Sequence, residues 1–289
     1  MDLESKFTIG FVVDSSCDIA PELLEKPNVY VAPLSIHFEG ESFRDGEEIT
    51  KDQFYKKLTE SKKHPSTSPV SDTQFYNIFR RSFIECDHLI VLTLTSIGSL
   101  TYKNALEAKS RLIEERQKKT EVIDTGSISG TIGLVLKRLY DDYECGKSFE
   151  EIVSRAQTLV KKSILISYVD DVQYLINGGK VSSLKGLFAK FLKISPLLKF
   201  SDGKPPENIG KVKRGEVQAY FDHVKKHVAN NVSYDISFTH IKADEYVDKL
   251  VTLIKETYAE SNIQFIATTG PVLGTNVGLK SFAISFLPK

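Results

Sequence analysis

The sequence predicts an α/β protein of two domains, with a mainly parallel sheet flanked by helices in the N-terminal domain and a smaller C-terminal α/β domain. Strand patterns alternate with helical patterns along the chain, short polar loops follow the apolar runs, and 289 residues suffice for two cores. We place the boundary near residue 165, giving domains 1–165 and 166–289.

The first half opens on a continuous apolar run, Phe7–Val13, which is typical of a strand buried on both faces. Further strands are expected at 29–38, 88–94 and 120–123, and helices at 19–24, 99–116 and 130–143. Three capping boxes mark helix starts at Thr50-x-x-Gln53, Ser71-x-x-Gln74 and Ser148-x-x-Glu151.

The second half predicts strands at 164–169, 197–200, 234–240, 263–268 and 281–286, and helices at 148–162, 217–228 and 246–258. A short helix is expected to end at Gly178-Gly179. An apolar stripe over Leu184–Leu192 predicts another helix, with lysines on its remaining surface. Core packing is the first interpretation of this stripe. The alternative is a tunnel wall or lid whose lysines face a partner or anionic lipid, the latter in transient contact with a membrane surface.

Composition narrows the class of protein. Lys plus Arg and Asp plus Glu are both 38, so the balanced charge argues against bulk nucleic-acid binding. No apolar segment approaches the length of a membrane span, and the polar start Met1–Lys6 does not resemble a signal peptide. Three cysteines, few and odd in number, predict a reducing, cytoplasmic setting.

Several common chemistries lack their motifs. The sequence contains no phosphate-binding P-loop, no dinucleotide-binding glycine motif and no Gly-x-Ser-x-Gly elbow. His223 and His227 stand four residues apart, but no Glu follows His223 as in a zinc protease. We therefore expect no metal and no cofactor.

Short polar loops are expected where apolar runs give way to helices. In an open α/β sheet these loops meet outside the carboxyl ends of the strands, where ligands bind. Their hydroxyls and backbone N–H groups suit an anionic head group. The loops are Asp14–Asp18, Ser66–Ser71, Thr95–Ser99, Asp124–Ser127 and Gly274–Gly278.

Taken in order, these motifs resemble the DegV family of bacterial fatty-acid-binding proteins, from Phe7 to the C-terminus. Asp14-Ser15-Ser16-Cys17-Asp18 is similar to the family's opening Asp-Ser-x-x-Asp, and Val122-Ile123-Asp124-Thr125 to its Val-Ile-Asp-Ser/Thr. The remaining four similar motifs are His64–Ser71, Thr95–Tyr102, Tyr174–Ser182 and Gly270–Gly278.

The resemblance implies two α/β domains with the ligand site between them, which holds one long-chain fatty acid, such as palmitate, stearate or oleate. It implies no chemistry of the protein's own. Some members present the fatty acid to a separate kinase, which forms an acyl phosphate. The family's carboxylate-binding hydroxyls fall on Thr67 and Ser96, and its last-motif histidine falls on Asn276. The carboxylate-binding candidates are thus Thr67, Ser68, Thr95, Ser96, Thr275 and Asn276.

The neighbouring loops supply further candidates. Asp14 is expected either to touch a ligand or to order the hydroxyl loops, and Asp18 to cap the helix after it. For Ser71 a helix cap is expected outright. Ligand-loop candidates are Asp14, Ser15, Ser16 and Asp124, and candidates for docking a kinase are Lys180, Lys213 and Arg214.

Two other functions stay open. One is a two-domain α/β enzyme acting on a small phosphorylated or acyl anion, with Asp14 as base or nucleophile. The other is a binding protein whose altered loops hold a different amphipathic acid, since Asn276 replaces the family's histidine and Lys180 its arginine.

Overall fold

The computed structural model describes residues 7–61, 63–179 and 194–289. It confirms the α/β class, with one parallel sheet and a second, mixed sheet. The predicted helical stripe Leu184–Leu192 and the docking candidate Lys180 lie outside the described residues. No helix within those ranges has the length and apolar content needed to cross a membrane.

The N-terminal sheet has four parallel strands in the order β2-β1-β6-β7, and β1 and β6 are buried at its centre. Parallel neighbours bring their carboxyl ends to one edge, so the loops after β1, β6 and β7 meet there. The strands are β1 (Phe7–Asp14), β2 (Val29–Ala32), β6 (Cys86–Thr93) and β7 (Thr120–Asp124). The helices of this half are α1 (Pro21–Leu24), α2 (Lys51–Glu60), α3 (Asp72–Glu85), α4 (Thr101–Ser110), α5 (Glu114–Lys118), α6 (Gly130–Glu144) and α7 (Phe149–Lys162).

A separate three-stranded antiparallel sheet corrects the expectation of one strand over 29–38. The chain leaves the parallel sheet at Pro33, which has no N–H to donate, and continues in the new sheet. Its strands follow the order β4-β3-β5 and are β3 (Ser35–Phe38), β4 (Glu41–Arg44) and β5 (Ser66–Ser68). The segment expected as a loop at Ser66–Ser71 therefore begins as an edge strand.

The second large sheet has six strands in the order β10-β9-β8-β13-β11-β12, all antiparallel except the β11–β12 pair. The strands are β8 (Ile164–Tyr168), β9 (Ile194–Ser201), β10 (Glu207–Lys213), β11 (Tyr234–His240), β12 (Asn262–Thr268) and β13 (Phe282–Pro288). Its helices are α8 (Val172–Asn177), α9 (Val217–His227), α10 (Asp244–Thr257) and α11 (Pro271–Val277). The division at residue 165 stays a prediction.

Helix α6 packs against both large sheets. Leu136 of α6 belongs to one apolar cluster with Phe11 of β1 and Leu287 of β13. At Gly130 the helix comes so close to β11 that a Cβ would overlap the Ser237 hydroxyl. This shared core fixes the loops of the first sheet relative to the strands of the second.

All three capping boxes are confirmed. Thr50, Ser71 and Ser148 each accept the backbone N–H three residues ahead, and the Gln or Glu there bonds back to the cap. The helix expected over 99–116 is instead two helices, α4 and α5. Strands β4 and β10 were not expected.

Candidate functional site

A cavity of about 390 Å³ lies between the two large sheets, and one end of it reaches the surface. At that end Ser96 is exposed and Leu100 is 58% exposed, whereas the opposite wall is buried. No described residue of its lining carries a charge. The lining residues are Leu34, Thr67, Ser68, Pro69, Leu94, Thr95, Ser96, Ile97, Gly98, Ser99, Leu100, Ile128, Ser167, Leu175, Leu198, Phe200, Pro206, Val272, Leu273, Asn276 and Val277.

The loop after β1 is organised by Asp14, which is buried and does not line the cavity. Its carboxylate accepts the N–H and hydroxyl of Ser16 and, at 2.6 Å, the backbone N–H of Leu94. Burial raises the pKa of Asp14 to about 6, against the lowering effect of these hydrogen bonds. Asp14 therefore orders the neighbouring loops, the second of the two roles expected for it.

The loop after β6 is held by Asp124 at the end of β7. Both carboxylate oxygens of Asp124 lie 3.2 Å from the Ser96 backbone nitrogen, and one accepts the Gly126 N–H at 2.8 Å. The Thr95 nitrogen donates to the Ser127 carbonyl. Asp124 thus positions Ser96 at the cavity wall through its backbone and leaves the Ser96 side chain free to face a ligand.

Strand β5 brings Thr67 and Ser68 to the same cavity. Among the described residues, the hydroxyls of Thr67 and Ser96 have no hydrogen-bond partner, so both are available to a ligand. The Ser68 hydroxyl is 2.7 Å from the His37 ring nitrogen Nε2. Ser71, by contrast, is confirmed as the cap of α3.

Helix α11 places Asn276 at the cavity but turns Thr275 away from it. The Thr275 hydroxyl is fully buried and donates to the Pro271 carbonyl, and the cavity wall does not include it. The Asn276 amide nitrogen donates to Val272 at 2.8 Å, while its Oδ1, packed against Gly178, is buried without a partner in the described chain. One of the two N–H groups of the expected amide donor is thus engaged within the helix.

Ser15 is half-buried, does not line the cavity, and lies in a cluster with the buried carboxylates of Asp18 and Asp45. The Ser15 hydroxyl accepts the Leu34 N–H at 3.1 Å, and Asp45 is hydrogen-bonded to Ser15. Burial, chiefly, and the Asp18 charge raise the pKa of Asp45 to about 7. Asp45 carried no signal in the sequence, because the fold alone brings it to Asp18.

Asp18 does not cap the helix after it, so that expectation was wrong. Ala20 is the N-cap of α1 and makes no side-chain cap. The Asp18 carboxylate instead accepts the Ser129 hydroxyl at 2.6 Å and the Gly270 N–H at 2.8 Å, linking the β1 loop to the start of α11. Burial raises its pKa, and nearby Lys51 opposes the shift.

Part of the apolar wall of the cavity comes from the second sheet and from α8, which the sequence did not mark as ligand contacts. Leu198 and Phe200 of β9 and Leu175 of α8 are at most 7% exposed. Ordinary buried strand residues carry no local pattern that singles them out as ligand contacts. The packing of this sheet against the first half of the chain, for example against Ile128, puts them there, and such packing is a long-range property.

Of the docking candidates, Arg214 and Lys213 follow each other at the end of β10. Arg214 bonds to the Asp170 carbonyl and pairs with Asp171 at 3.1 Å, and Lys213 pairs with Glu216 at 3.6 Å. Because Asp171 caps α8, Arg214 joins β10 to that helix. Their role in docking stays a prediction.

The arrangement supplies two environments in one cavity. Hydroxyls and loop backbone gather at the open end, and aliphatic and aromatic side chains line the interior. An amphipathic anion fits such a site, because its apolar part leaves water while neutral donors keep its charged end hydrogen-bonded. None of the described lining residues is an acid or base suited to proton transfer.

Relatives and solved structures resemble the chain over nearly its full length. DegV domain-containing protein TTE1491 of Caldanaerobacter subterraneus is 30% identical over 286 residues, covering 97% of this chain and 99% of the relative. DegV domain-containing protein SA1258 of Staphylococcus aureus is 28% identical over 279 residues, covering 96% of this chain and 98% of the relative.

Among solved structures, a Thermus thermophilus DegV family protein described by its fatty acid binding aligns with a TM-score of 0.85 at 22% identity, covering 98% of this chain and 100% of that one. A stearic acid-binding protein from Eubacterium ventriosum gives a TM-score of 0.85 at 24% identity, covering 98% and 99%. The Streptococcus pneumoniae fatty acid kinase (Fak) B3 protein, loaded with linoleic acid, aligns with a TM-score of 0.85 at 22% identity. The alignment covers 98% of this chain and 100% of that one.

A family model described as "Uncharacterised protein, DegV family" matches residues 8–289. With near-complete coverage by this model and a relative at 30% identity, the chain belongs to the DegV family.

Proposed function

We propose that this protein binds one long-chain fatty acid in the cavity and presents it to a fatty acid kinase, without catalysing a reaction itself. The observation that carries the proposal is the cavity's polarity, with an uncharged hydroxyl-lined end at the surface and a buried apolar interior. Its volume of about 390 Å³ falls in the range of small-molecule sites.

The tail supplies most of the binding free energy. Each buried methylene contributes about 0.8 kcal/mol, so a chain of about fifteen contributes on the order of 10 kcal/mol before the costs of association. We place this chain against Leu175, Leu198 and Phe200. Solved relatives that bind stearic, vaccenic or linoleic acid support a ligand of this length.

The carboxylate is assigned to Thr67, Ser68 and Ser96, with Thr95 and Asn276 at the same end of the cavity. The hydroxyls of Thr67 and Ser96, which have no hydrogen-bond partner within the described residues, support this assignment. A hydrogen bond from such a donor to a charged group contributes about 1.5–3 kcal/mol. Thr275, Asp14, Ser15, Ser16 and Asp124 take supporting roles, since their side chains hold backbone or one another.

We place the protein in the cytoplasm, where a kinase partner meets it, with Lys213, Arg214 and Lys180 as the docking residues. Few cysteines, odd in number, suit that reducing compartment. The buried position of Asp14, away from the cavity, disfavours the alternative of an enzyme using it as base or nucleophile.

Native mass spectrometry of the purified protein, followed by denaturation and lipid identification, tests the proposal. We expect one added mass that resolves to long-chain fatty acids, and loss of that mass in the Thr67→Ala, Ser96→Ala double variant. Ser71→Ala is the matched control, because this nearby hydroxyl caps α3 and is expected to leave retention unchanged. A protein that carries no fatty acid and takes up neither oleate nor palmitate refutes the proposal.

A further inference from the structure

A histidine on β3 bridges a cavity hydroxyl and an exposed hydroxyl. His37 Nε2 lies 2.7 Å from the Ser68 hydroxyl oxygen, and His37 Nδ1 lies 3.0 Å from that of Ser42. Ser68 lines the cavity, whereas Ser42 on β4 is exposed. The three side chains form one continuous hydrogen-bonded chain from the surface to the cavity wall, across neighbouring strands of the small sheet.

The position of the ring proton decides what Ser68 offers to a ligand. When Nε2 carries a proton, it donates to the Ser68 oxygen, and the Ser68 O–H is then free to point into the cavity. When Nε2 lacks a proton, it accepts the Ser68 O–H, and Ser68 presents only lone pairs to the cavity. A carboxylate accepts hydrogen bonds and donates none, so only the first arrangement stabilises it.

We propose that His37 is a positioning residue for fatty acid binding, holding a proton on Nε2 so that the Ser68 hydroxyl donates to the ligand carboxylate. The proposal rests on the proposed function and assigns His37 a role outside the cavity wall. Ser42 completes the chain by donating its hydroxyl to Nδ1 in the neutral ring. Fatty acid binding selects this arrangement, since it alone has a favourable interaction with the anion.

The test compares oleate affinity of wild type with His37→Leu, His37→Gln, Ser68→Ala and the His37→Leu, Ser68→Ala double variant. We expect His37→Leu to weaken oleate binding about threefold, because the Ser68 O–H remains but loses the N–H donor that orients and polarises it toward the carboxylate. Gln retains an amide N–H at a reach similar to that of Nε2, so His37→Gln is expected to recover most of the affinity. On the Ser68→Ala background, His37→Leu is expected to add nothing, because its effect passes through Ser68.

The ring nitrogen that carries the imidazole proton can be measured directly, and a purely structural role for His37 makes no prediction about it. In the oleate complex, long-range ¹H–¹⁵N spectra of the histidine rings are expected to place a proton on His37 Nε2. A proton on Nδ1 alone, full affinity in His37→Leu, or an equal loss on the Ser68→Ala background overturns the proposal. Thermal unfolding of each variant identifies any loss of oleate affinity that stems from misfolding. If His37→Leu misfolds, the oleate affinity of His37→Gln tests the proposal instead.

The two proposals fail differently. Wild type that takes up no oleate refutes the fatty acid site and His37's role with it. Wild type that binds oleate, together with a His37→Leu variant that binds it equally well, refutes only the role of His37.

Discussion

The Asp14 carboxylate accepts the backbone N–H of Leu94 at 2.6 Å, and this bond ties the carboxyl ends of β1 and β6 together. The other carboxylate oxygen holds the N–H and hydroxyl of Ser16. One buried side chain thereby satisfies three donors from two loops that border the cavity. It sets the course of the chain that leads from Leu94 to Ser96.

Replacing Asp14 by Ala is expected to lower the free energy of unfolding by about 2–3 kcal/mol, because buried donors lose their acceptor. Oleate affinity is expected to fall as well, since the Leu94–Ser96 segment loses its anchor. Urea denaturation and oleate titration measure the two effects. Asp14→Asn keeps one acceptor oxygen and is expected to lose less of both. A stable Asp14→Ala variant with wild-type affinity would contradict the anchoring role.

Asp45 predicts a dependence of stability on pH. Its pKa is raised from 3.8 to about 7, chiefly by burial, so the folded state holds a proton that the unfolded state releases first. This raised pKa favours folding most at low pH, and the contribution is lost as the pH rises from about 4 to 7. The Asp45→Asn variant has no titrating group at this position and does not lose stability in this way. The free energy of unfolding of Asp45→Asn minus that of wild type is therefore expected to rise over that window and then level off.

The size of the Asp45 effect is on the order of 4 kcal/mol between pH 4 and 8, because each tenfold difference in proton affinity between the folded and unfolded states corresponds to about 1.4 kcal/mol. Urea unfolding of both proteins at pH 4.5, 6 and 8 measures it. A difference between Asp45→Asn and wild type that stays constant across these pH values would refute the prediction.

The parts of the fold that depend on local pattern could be predicted from the sequence. The apolar run of β1 and the capping box at Ser71 each act within a few residues, and both appear in the structure as expected. The prediction of a single strand over 29–38 was wrong, because no local signal marks the pairing of its second half with Ser66–Ser68, about thirty residues away. His37 and Phe200 were missed for the same reason, since their importance depends on which strand lies beside them.

Ser167 predicts a gain in affinity on substitution. Its side chain is 6% exposed, lines the apolar part of the cavity beside Leu198 on the neighbouring strand, and has no hydrogen bond to any described residue. An acyl chain packed against this hydroxyl removes it from water without giving it a partner. Ser167→Ala is therefore expected to bind oleate about three- to tenfold more tightly.

Ser285 provides the control for Ser167, because it is equally buried but lies outside the cavity lining, where it accepts a hydrogen bond from Thr131. Ser285→Ala is expected to lower stability and leave oleate affinity unchanged. Weaker oleate binding by Ser167→Ala would show instead that the hydroxyl has a polar partner in the complex.

Gly126 and Gly203 offer a paired test of how the cavity is closed. Gly126 follows β7, and a Cβ there would overlap the backbone of Gly203, which lies in the turn between β9 and β10. The same hairpin carries Phe200 and Pro206 of the cavity wall. Gly126→Ala is expected to push the hairpin outward and weaken oleate binding more than tenfold, because the tail loses part of its apolar wall.

Gly203→Ala separates this steric effect from backbone strain. The two glycines have similar left-handed φ values, 59° and 65°, so an alanine at either position carries a similar strain of about 1–2 kcal/mol. A Cβ at Gly203, however, meets no atom of the described residues within 4 Å. We expect both variants to unfold at lower temperature than wild type, but only Gly126→Ala to lose oleate affinity. Equal losses of affinity would mean that strain in these loops governs binding, and the close approach of the two backbones would not be what seals the cavity.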